Sequence, residues 1–463
     1  PLGGQEEVGR NMTVFEYDGD IVLLDMGLQF PEEDMPGIDY IIPNINYLRG
    51  RERQIRGVVF SHGHMDHIGA APLLLEKLGY PPIIGRDLTV ALIKKRLEDY
   101  QEKSAQNLKV IPIKSVDQKI SLGKFKLGFF DVEHSIMDAV GVILATPNGT
   151  IIHPGDWTMD PHPKNRLPLS YRHLARLPRP KILMLESLGA IDKEPSQVTE
   201  DEMYANLEKL ILQAQGNVII GTFSSQIKRI GHILEFAGKI GKKVSLDCYS
   251  MKMNVEIAKE LGYIKVPRGI LIPIKDAHRQ PDNKLVIICT GAQGEGNAVL
   301  SRIMSNDHKF IKIKKNDTII FSSSIVPGNE RTVQRLKDNL YRQCDNVVHN
   351  EIMDVHTSGH CNAQSIKEII RQIQPDFFLP VYANHFFLKE AAKLAVEVGI
   401  AKDKIFVLDN GSVLEIQNGR AALNEQKVDT GYVFVDGLGV GDIGQVVLRD
   451  RQAMAQDGMF VII

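Results

Sequence analysis

The chain is 463 residues long, 43% hydrophobic and 24% charged, with a formal net charge of −2. That length exceeds what one hydrophobic core usually serves, so two domains are the default reading, and with no apolar run of about 18 residues a membrane span is excluded. The near-neutral charge excludes a uniformly basic protein, so a nucleic-acid partner would need a local basic groove.

Along the chain, short apolar β-rich runs alternate with helical patterns, the signature of an α/β architecture. Ile21–Asp25 and Gly57–Ser61 are predicted as buried strands that end in polar residues. Gly141–Ala145 and Thr150–His153 flank Pro147-Asn148-Gly149, a hairpin turn signal, and Lys181–Glu186 is a further buried strand. Helical stretches at Thr199–Gln213 and Ile227–Ile240 then alternate with strands at Asn217–Thr222, Lys243–Asp247, Leu285–Thr290 and Thr318–Ser323. The middle of the chain is therefore predicted to hold a parallel-sheet layer of its own. Asp376–Val381 is another strand, and Lys404–Ile416 carries a predicted hairpin at Asn410-Gly411. Gly458–Ile463 reads as a strand cut off midway, and Pro1 stands in place of a start Met, so a piece of a longer chain is expected. Cys248, Cys289, Cys344 and Cys361 are scattered without CxxC spacing. That argues against a disulfide framework or a cysteine-based zinc site and fits a reducing cytoplasm.

The chemistry concentrates after Gly57–Ser61. In His62-Gly63-His64-Met65-Asp66-His67, four ligand-type side chains fall within six residues, and Gly63 and Gly69 permit tight turns. His62 and His64, two apart in an extended loop, can face one ion, while Asp66 and His67 turn toward a second position. Imidazole and carboxylate suit Zn2+ or Mn2+, and a coordination position left for water makes such a site hydrolytic. Further ligands must come from other loops. His134 follows the strand-like Leu127–Val132, and Asp156 sits in His153-Pro154-Gly155-Asp156-Trp157. A carboxylate there can bridge two ions about 3.5–4 Å apart. Taken singly, each of these two residues would be read as a structural polar group; their order after the His-Asp cluster favours ligands. Ser322-Ser323-Ser324 ends a strand ahead of Pro327-Gly328, where hydroxyls and free N–H groups suit a phosphate. The basic stretches Lys94–Arg96 and Lys312–Lys315 read as solvated faces rather than as a nucleic-acid path.

Together these motifs resemble the metallo-β-lactamase superfamily. The run His62–His67 matches its signature, Asp25 its early structural aspartate, and His134 and Asp156 its later metal motifs. Glu186, and His360 in His356-Thr357-Ser358-Gly359-His360, match the first two motifs of the nucleic-acid-cutting β-CASP branch. Segments Gly3–Gly9, Thr290–Glu295, Ser322–Glu330 and Gly441–Gly444 look like the ribonuclease J group, so the resemblance covers essentially the whole chain. It implies an α/β fold, a metallo-β-lactamase αββα sandwich with an inserted β-CASP α/β domain. Residues 1–194 would form the first part of the core, 195–355 the insertion, 356–425 the second part of the core and 426–463 a linker toward a further C-terminal domain. The implied activity is metal-dependent hydrolysis of RNA phosphodiester bonds, 5′-to-3′ from an end and also internally, in RNA maturation and decay. One or two Zn2+ ions, with Mn2+ as the alternative, would be held by His62, His64, Asp66, His67, His134 and Asp156. Asp66, His67, Glu186 and His360 are the implied catalytic residues. The implied RNA phosphate contacts are Ser322, Ser323, Ser324, His356, Ser358 and His360. A cytoplasmic protein without a membrane anchor, forming a homodimer or higher oligomer at full length, completes what the resemblance implies.

One motif departs from that pattern. The β-CASP branch carries a histidine in a Pro-Val-His-Gly-Glu segment, whereas Pro380-Val381-Tyr382-Ala383-Asn384-His385 puts Tyr382 at the histidine and Asn384 at the acidic position. A neutral phenol, with a pKa of about 10, is a poor metal ligand, so the second ion is expected to be weak, differently ligated or absent. His385 either substitutes or starts a helix, and the unbroken flanking spacing favours the helix. Two other readings stand beside the ribonuclease. One is a catalytically weakened RNA-binding partner of an active homologue, supported by Tyr382. The other is a small-molecule thioester or lactam hydrolase, opposed by the inserted domain.

Overall fold

The computed structural model describes all residues except 33, 161–167, 194–197, 327, 438 and 458–463. The expected boundary at 194/195, Pro327 of the expected phosphate loop and the expected strand Gly458–Ile463 thus lie outside the described residues. Two sheets form the sandwich. The first runs in the order Thr13–Tyr17, Asp20–Leu24, Ile55–Val59, Ile83–Gly85, Val110–Pro112, antiparallel at its first pair and parallel after it. The second runs Phe377–Val381, Lys181–Glu186, Gly149–His153, Val140–Thr146, Phe125–Asp131, Ile120–Leu122. Between them Val22, Leu24, Val59 and Ile84 meet Leu127, Phe129, Val142 and Leu144, an interior of two apolar faces. Helix Asp87–Tyr100 covers the outer face of the first sheet, burying Leu88, Leu92, Ile93 and Leu97. Helix Ala363–Ile373 covers the second with Ile366, Ile369, Ile370 and Ile373, a stripe at helical spacing.

Strands Lys181–Glu186 and Phe377–Val381 are parallel neighbours with Glu186 opposite Val381. The inserted domain is spliced between these neighbours, which places Glu186 and Tyr382 side by side at the carboxyl edge of the sheet. The insertion is a fully parallel five-stranded sheet, ordered Lys243–Asp247, Leu285–Cys289, Val218–Gly221, Thr318–Phe321, Asn346–Val348. The chain enters at its middle strand and later adds strands on both sides. This is a topological switch point, with a crevice at the carboxyl ends where Thr222, Thr290 and Ser322 begin their loops. Its first helix, Glu200–Gln213, opens with a Thr199–Glu202 capping box.

Two expectations need correction or restatement. The hairpin lies at Asn418-Gly419, between Leu414–Gln417 and Arg420–Leu423, where both turn residues have positive φ (52° and 76°). Asn410-Gly411 does form a turn, with Ser412 N donating to the Asp409 carbonyl at 3.1 Å, but among the described residues no paired strands flank it. The Asn410 amide instead ties Gln5, donating to its carbonyl at 2.7 Å and accepting from its N–H at 3.1 Å. In the span 426–463, expected as a linker, strand Val433–Asp436 pairs antiparallel with Tyr40–Ile42, and Phe434 and Leu448 are buried against Ile38 and Ile41. Among the described residues no helix is long and apolar enough to cross a membrane.

Candidate functional site

Asp25 organises the site. It ends strand Asp20–Leu24 with φ +60°, and its buried carboxylate accepts from Ser61 N (2.8 Å), Ser61 Oγ (2.9 Å) and His67 Nδ1 (2.8 Å). Because Ser61 Oγ donates to Asp25, it accepts from His62 Nδ1 at 3.0 Å, which leaves the lone pair on His62 Nε2. His134 Nδ1 donates to the Gly359 carbonyl at 2.7 Å, which likewise frees its Nε2. His62 Nε2 lies 3.1 Å and His134 Nε2 3.0 Å from His64 Nδ1, three imidazole nitrogens converging on one point. Asp156 Oδ2 stands 3.8 Å from His62 Nε2 and 3.9 Å from His134 Nε2. Its other oxygen is 3.3 Å from His67 Nε2, itself 3.4 Å from Asp66 Oδ2.

Two donor clusters result: His62, His64, His134 and Asp156; and Asp66, His67 and Asp156. Each has ligand atoms within 4.8 Å of one another, and the Asp156 carboxylate is common to both. The approach is tight enough that a Cβ on Gly27 would stand 1.5 Å from the Asp66 carbonyl oxygen. Burial first, then the neighbouring histidines, holds His62 well below its usual pKa. Burial likewise lowers His64 to about 4 and His134 to about 3, so all three are neutral donors at neutral pH. Burial opposes protonation of His67 too, but the carboxylates of Asp156, Asp66 and Asp25 outweigh it and hold its pKa well above the usual value. That excess of carboxylate is what a divalent cation would neutralise, and the donors fit one.

Glu186, His360 and Cys361 flank the clusters. His360 Nδ1 is 3.7 Å from Glu186 Oε1, and its ring centre is 5.5 Å from that of His134. Burial lowers the His360 pKa, but Glu186 outweighs it and raises the imidazole to about 9, so it is cationic at neutral pH. His356 is buried, and its Nδ1 faces Arg229 Nη1 at 2.8 Å. Burial and then the Arg229 charge hold His356 neutral, so Nδ1 accepts and Nε2 carries the proton. Arg229, in helix Ile227–Lys239, also donates to the Ser322 carbonyl at 2.8 Å. Ser358 accepts from His360 N at 3.1 Å and is exposed.

The expected phosphate serines divide. Ser322 is corrected to a structural role: it is fully buried, and its hydroxyl donates to the Val355 carbonyl at 2.7 Å, leaving nothing for a ligand. Ser323 is half-buried and Ser324 exposed. Their loop is shaped by Gln293, whose amide donates to the Ser324 carbonyl (2.7 Å) and accepts from Val326 N (2.8 Å). Tyr382 is buried with φ +61°, its ring edge-on to His67 at 5.4 Å and to His153 at 5.1 Å. Burial, then Asp25 and Asp156, pushes its phenol well above the usual value, so it supplies no charged donor. His385 opens helix His385–Glu397 outside both clusters, with Nδ1 3.6 Å from Glu6 on the surface. Lys95 pairs with Asp99 at 2.8 Å, and Lys314 and Lys315 pair with Asp282 and Asp345.

Sequence reasoning missed Asn11, Arg229 and Gln293. Arg229 had a signal, since it interrupts the buried stripe Ile227, Ile230, Ile233, Leu234 and Ala237 with a charge. Asn11 had none.

Residues 6–187 match the metallo-beta-lactamase superfamily, and residues 215–340 match "Ribonuclease J, beta-CASP domain". The chain is 37% identical to ribonuclease J of Thermus thermophilus and 35% identical to that of Synechocystis sp., over its whole length and over 81% and 72% of theirs. It is 34% identical to ribonuclease J2 of Bacillus subtilis, over its whole length and 82% of that protein. A crystal structure of an Enterococcus faecalis protein of unknown function matches in fold alone, with TM-score 0.59 and 15% identity, over 91% of this chain and 98% of that one. On its two domains and its full-length similarity to these relatives, this chain belongs to the ribonuclease J family.

Proposed function

We propose that this chain is a metal-dependent ribonuclease that hydrolyses RNA phosphodiester bonds from the 5′ end, with internal cleavage as a second mode. The observation that carries the reading is the Asp156 carboxylate, shared by two donor clusters, the first of which faces His360 through His134. Divalent ions, when bound there, would supply a water acidic enough to attack phosphorus; Zn2+ suits the imidazole-rich cluster. Every other role falls to the chain. Asp25 fixes the His67 tautomer and, through Ser61, that of His62. His356 presents Nε2–H to a phosphate oxygen because Arg229 occupies Nδ1. His360, cationic beside Glu186, stabilises charge developing on phosphorus oxygens and hands its proton to the leaving 3′ oxygen. Exposed Ser324 and Ser358, with half-buried Ser323, line the RNA path at the crevice.

The complete four-donor cluster speaks against a non-cutting partner subunit. The scattered cysteines, free among the described residues, accord with a cytoplasmic location. Incubation of 5′-monophosphorylated and 5′-triphosphorylated RNA with zinc- or manganese-loaded protein tests the reading. Mononucleotides released from the 5′ end establish exonuclease action, and internal fragments establish endonuclease action. Intact RNA overturns the proposal in favour of the partner role.

A further inference from the structure

Asn11 belongs to none of the motifs that form the site, yet its amide lies inside the second cluster. The residue is 1% exposed. Its Nδ2 is 3.2 Å from Asp66 Oδ2 and 2.9 Å from His67 Nε2, two of the three residues whose donor atoms define that cluster. Its Oδ1 is buried without a hydrogen-bond partner and packs toward Gly4, where a Cβ would stand 2.5 Å away. Leaving a buried amide oxygen unpaired costs roughly 1–3 kcal/mol. In this orientation Nδ2 donates to Asp66 Oδ2. A half-turn about the Cβ–Cγ bond exchanges the two amide atoms with no change of shape, giving up that donation and moving the amide nitrogen to the unpaired position, so a cation at the cluster is what would favour it. The oxygen would then face the Asp66 carboxylate, and two oxygens hold that approach only with a cation between them.

We infer that Asn11 Oδ1 is the fourth protein ligand of the second cluster, which thereby takes an oxygen-seeking divalent ion such as Mn2+ while the first cluster takes Zn2+. The inference rests on the metal-dependent reading above. The first cluster offers three imidazole nitrogens and one carboxylate, a set that suits Zn2+. With Asn11 the second offers one imidazole, two carboxylates and a carbonyl, a set that suits Mn2+. Tyr382 walls that cluster on the His67 side with a neutral phenol and adds no anionic donor. The three oxygens give the second cluster its selectivity.

The test strips metal from the wild-type chain and from the Asn11→Leu and Asn11→Asp variants, reloads each with one equivalent of Zn2+, and titrates Mn2+ with free ion read by electron paramagnetic resonance. Zinc is counted in every sample. In wild type, one zinc is retained and one manganese binds. Asn11→Asp, which swaps a carbonyl for a carboxylate, tightens manganese at least roughly tenfold, and Asn11→Leu weakens it at least roughly tenfold. Equal weakening in both variants would show that Asn11 serves only as a hydrogen-bond donor to Asp66 and His67, and would overturn the inference. Unchanged manganese affinity in Asn11→Leu would overturn it as well. Should Asn11→Leu lose zinc through misfolding, the isosteric Asn11→Asp decides alone. Wild-type protein that binds neither ion overturns the metal-dependent function itself, a separate and readable result.

Discussion

Glu186→Gln isolates the acid–base role of His360. The substitution keeps the shape of a buried side chain and removes the charge that raises the His360 pKa to about 9 against the pull of burial. Without it, only Asp156 and Asp66 still oppose burial, and the imidazole falls toward its usual value near 6.5. That fall corresponds to about 3 kcal/mol of lost preference for the cation, an upper bound because ions in the adjacent clusters already oppose the charge. The sign is fixed by the direction of the shift. A group raised in the folded state is charged below its folded pKa, so kcat in wild type is high at neutral pH and falls as pH rises toward 9. The same pair contributes stability that is lost as pH rises from about 6.5 to 9, where His360 gives up its proton, and lost again in acid as Glu186, whose pKa burial raises, is protonated. The assay is kcat against pH at saturating RNA, with metal content counted at each pH. Glu186→Gln is expected to move the alkaline limb at least one unit toward acid with metal content unchanged. A limb that stays in place while the ions remain bound would refute His360 as the proton donor.

Three further outcomes are expected. Asp156→Ala removes the donor common to both clusters, so bound metal should fall below one ion per chain and RNA cleavage should drop at least roughly a hundredfold; retention of two ions would exclude a bridging role. Gly27→Ala forces a methyl into the Asp66 carbonyl, so a stability loss of about 1–3 kcal/mol is expected by denaturant titration, with the second ion lost before the first. Arg229→Met leaves His356 Nδ1 without its donor and frees the ring to take the other tautomer. The KM for RNA should rise with metal content unchanged, and an unmoved KM would remove His356 from the phosphate path.

How legible the site was depended on whether a residue's role is local in sequence. His62 through His67 could be read directly because a strand, two glycine-permitted turns and four ligand types fall in one short run. His134 and Asp156 needed the further idea that a metal takes ligands from several loops, each just beyond the end of a strand, here strands Phe125–Asp131 and Gly149–His153. Ser322 misled for a physical reason. A serine at a strand end serves equally well as a free hydroxyl or as a tie to a neighbouring segment, and only burial by Arg229 and Val355 decides between them. The hairpin was misplaced because both Asn410-Gly411 and Asn418-Gly419 turn the chain, and only the second is flanked by segments that pair as strands. Asn11 was invisible because its partners Asp66 and His67 meet it only through the pairing of separate strands and loops.

The two clusters also differ in what holds them. Every donor of the first sits at the end of a sandwich strand or in the turn that follows, and His62 and His134 are anchored through their second nitrogens by Ser61 and Gly359. The second leans on the N-terminal segment. Asn11 follows Arg10, whose guanidinium is buried against Glu7 at 2.9 Å and stacks over Tyr432 at 4.6 Å. Glu7 in turn accepts from Asn410, and Gly4 accepts from Tyr382 N at 2.8 Å. A buried ion pair of this kind adds little net stability but is costly to break, since one partner left alone strands a charge at about 3–5 kcal/mol. Its effect here is to fix the position of the segment that carries Asn11 against the segment that carries Tyr382. The imidazole-rich cluster is therefore secured by the core of the fold, whereas occupancy of the oxygen-rich one is tied to the docking of residues 3–11 against residues 382–432.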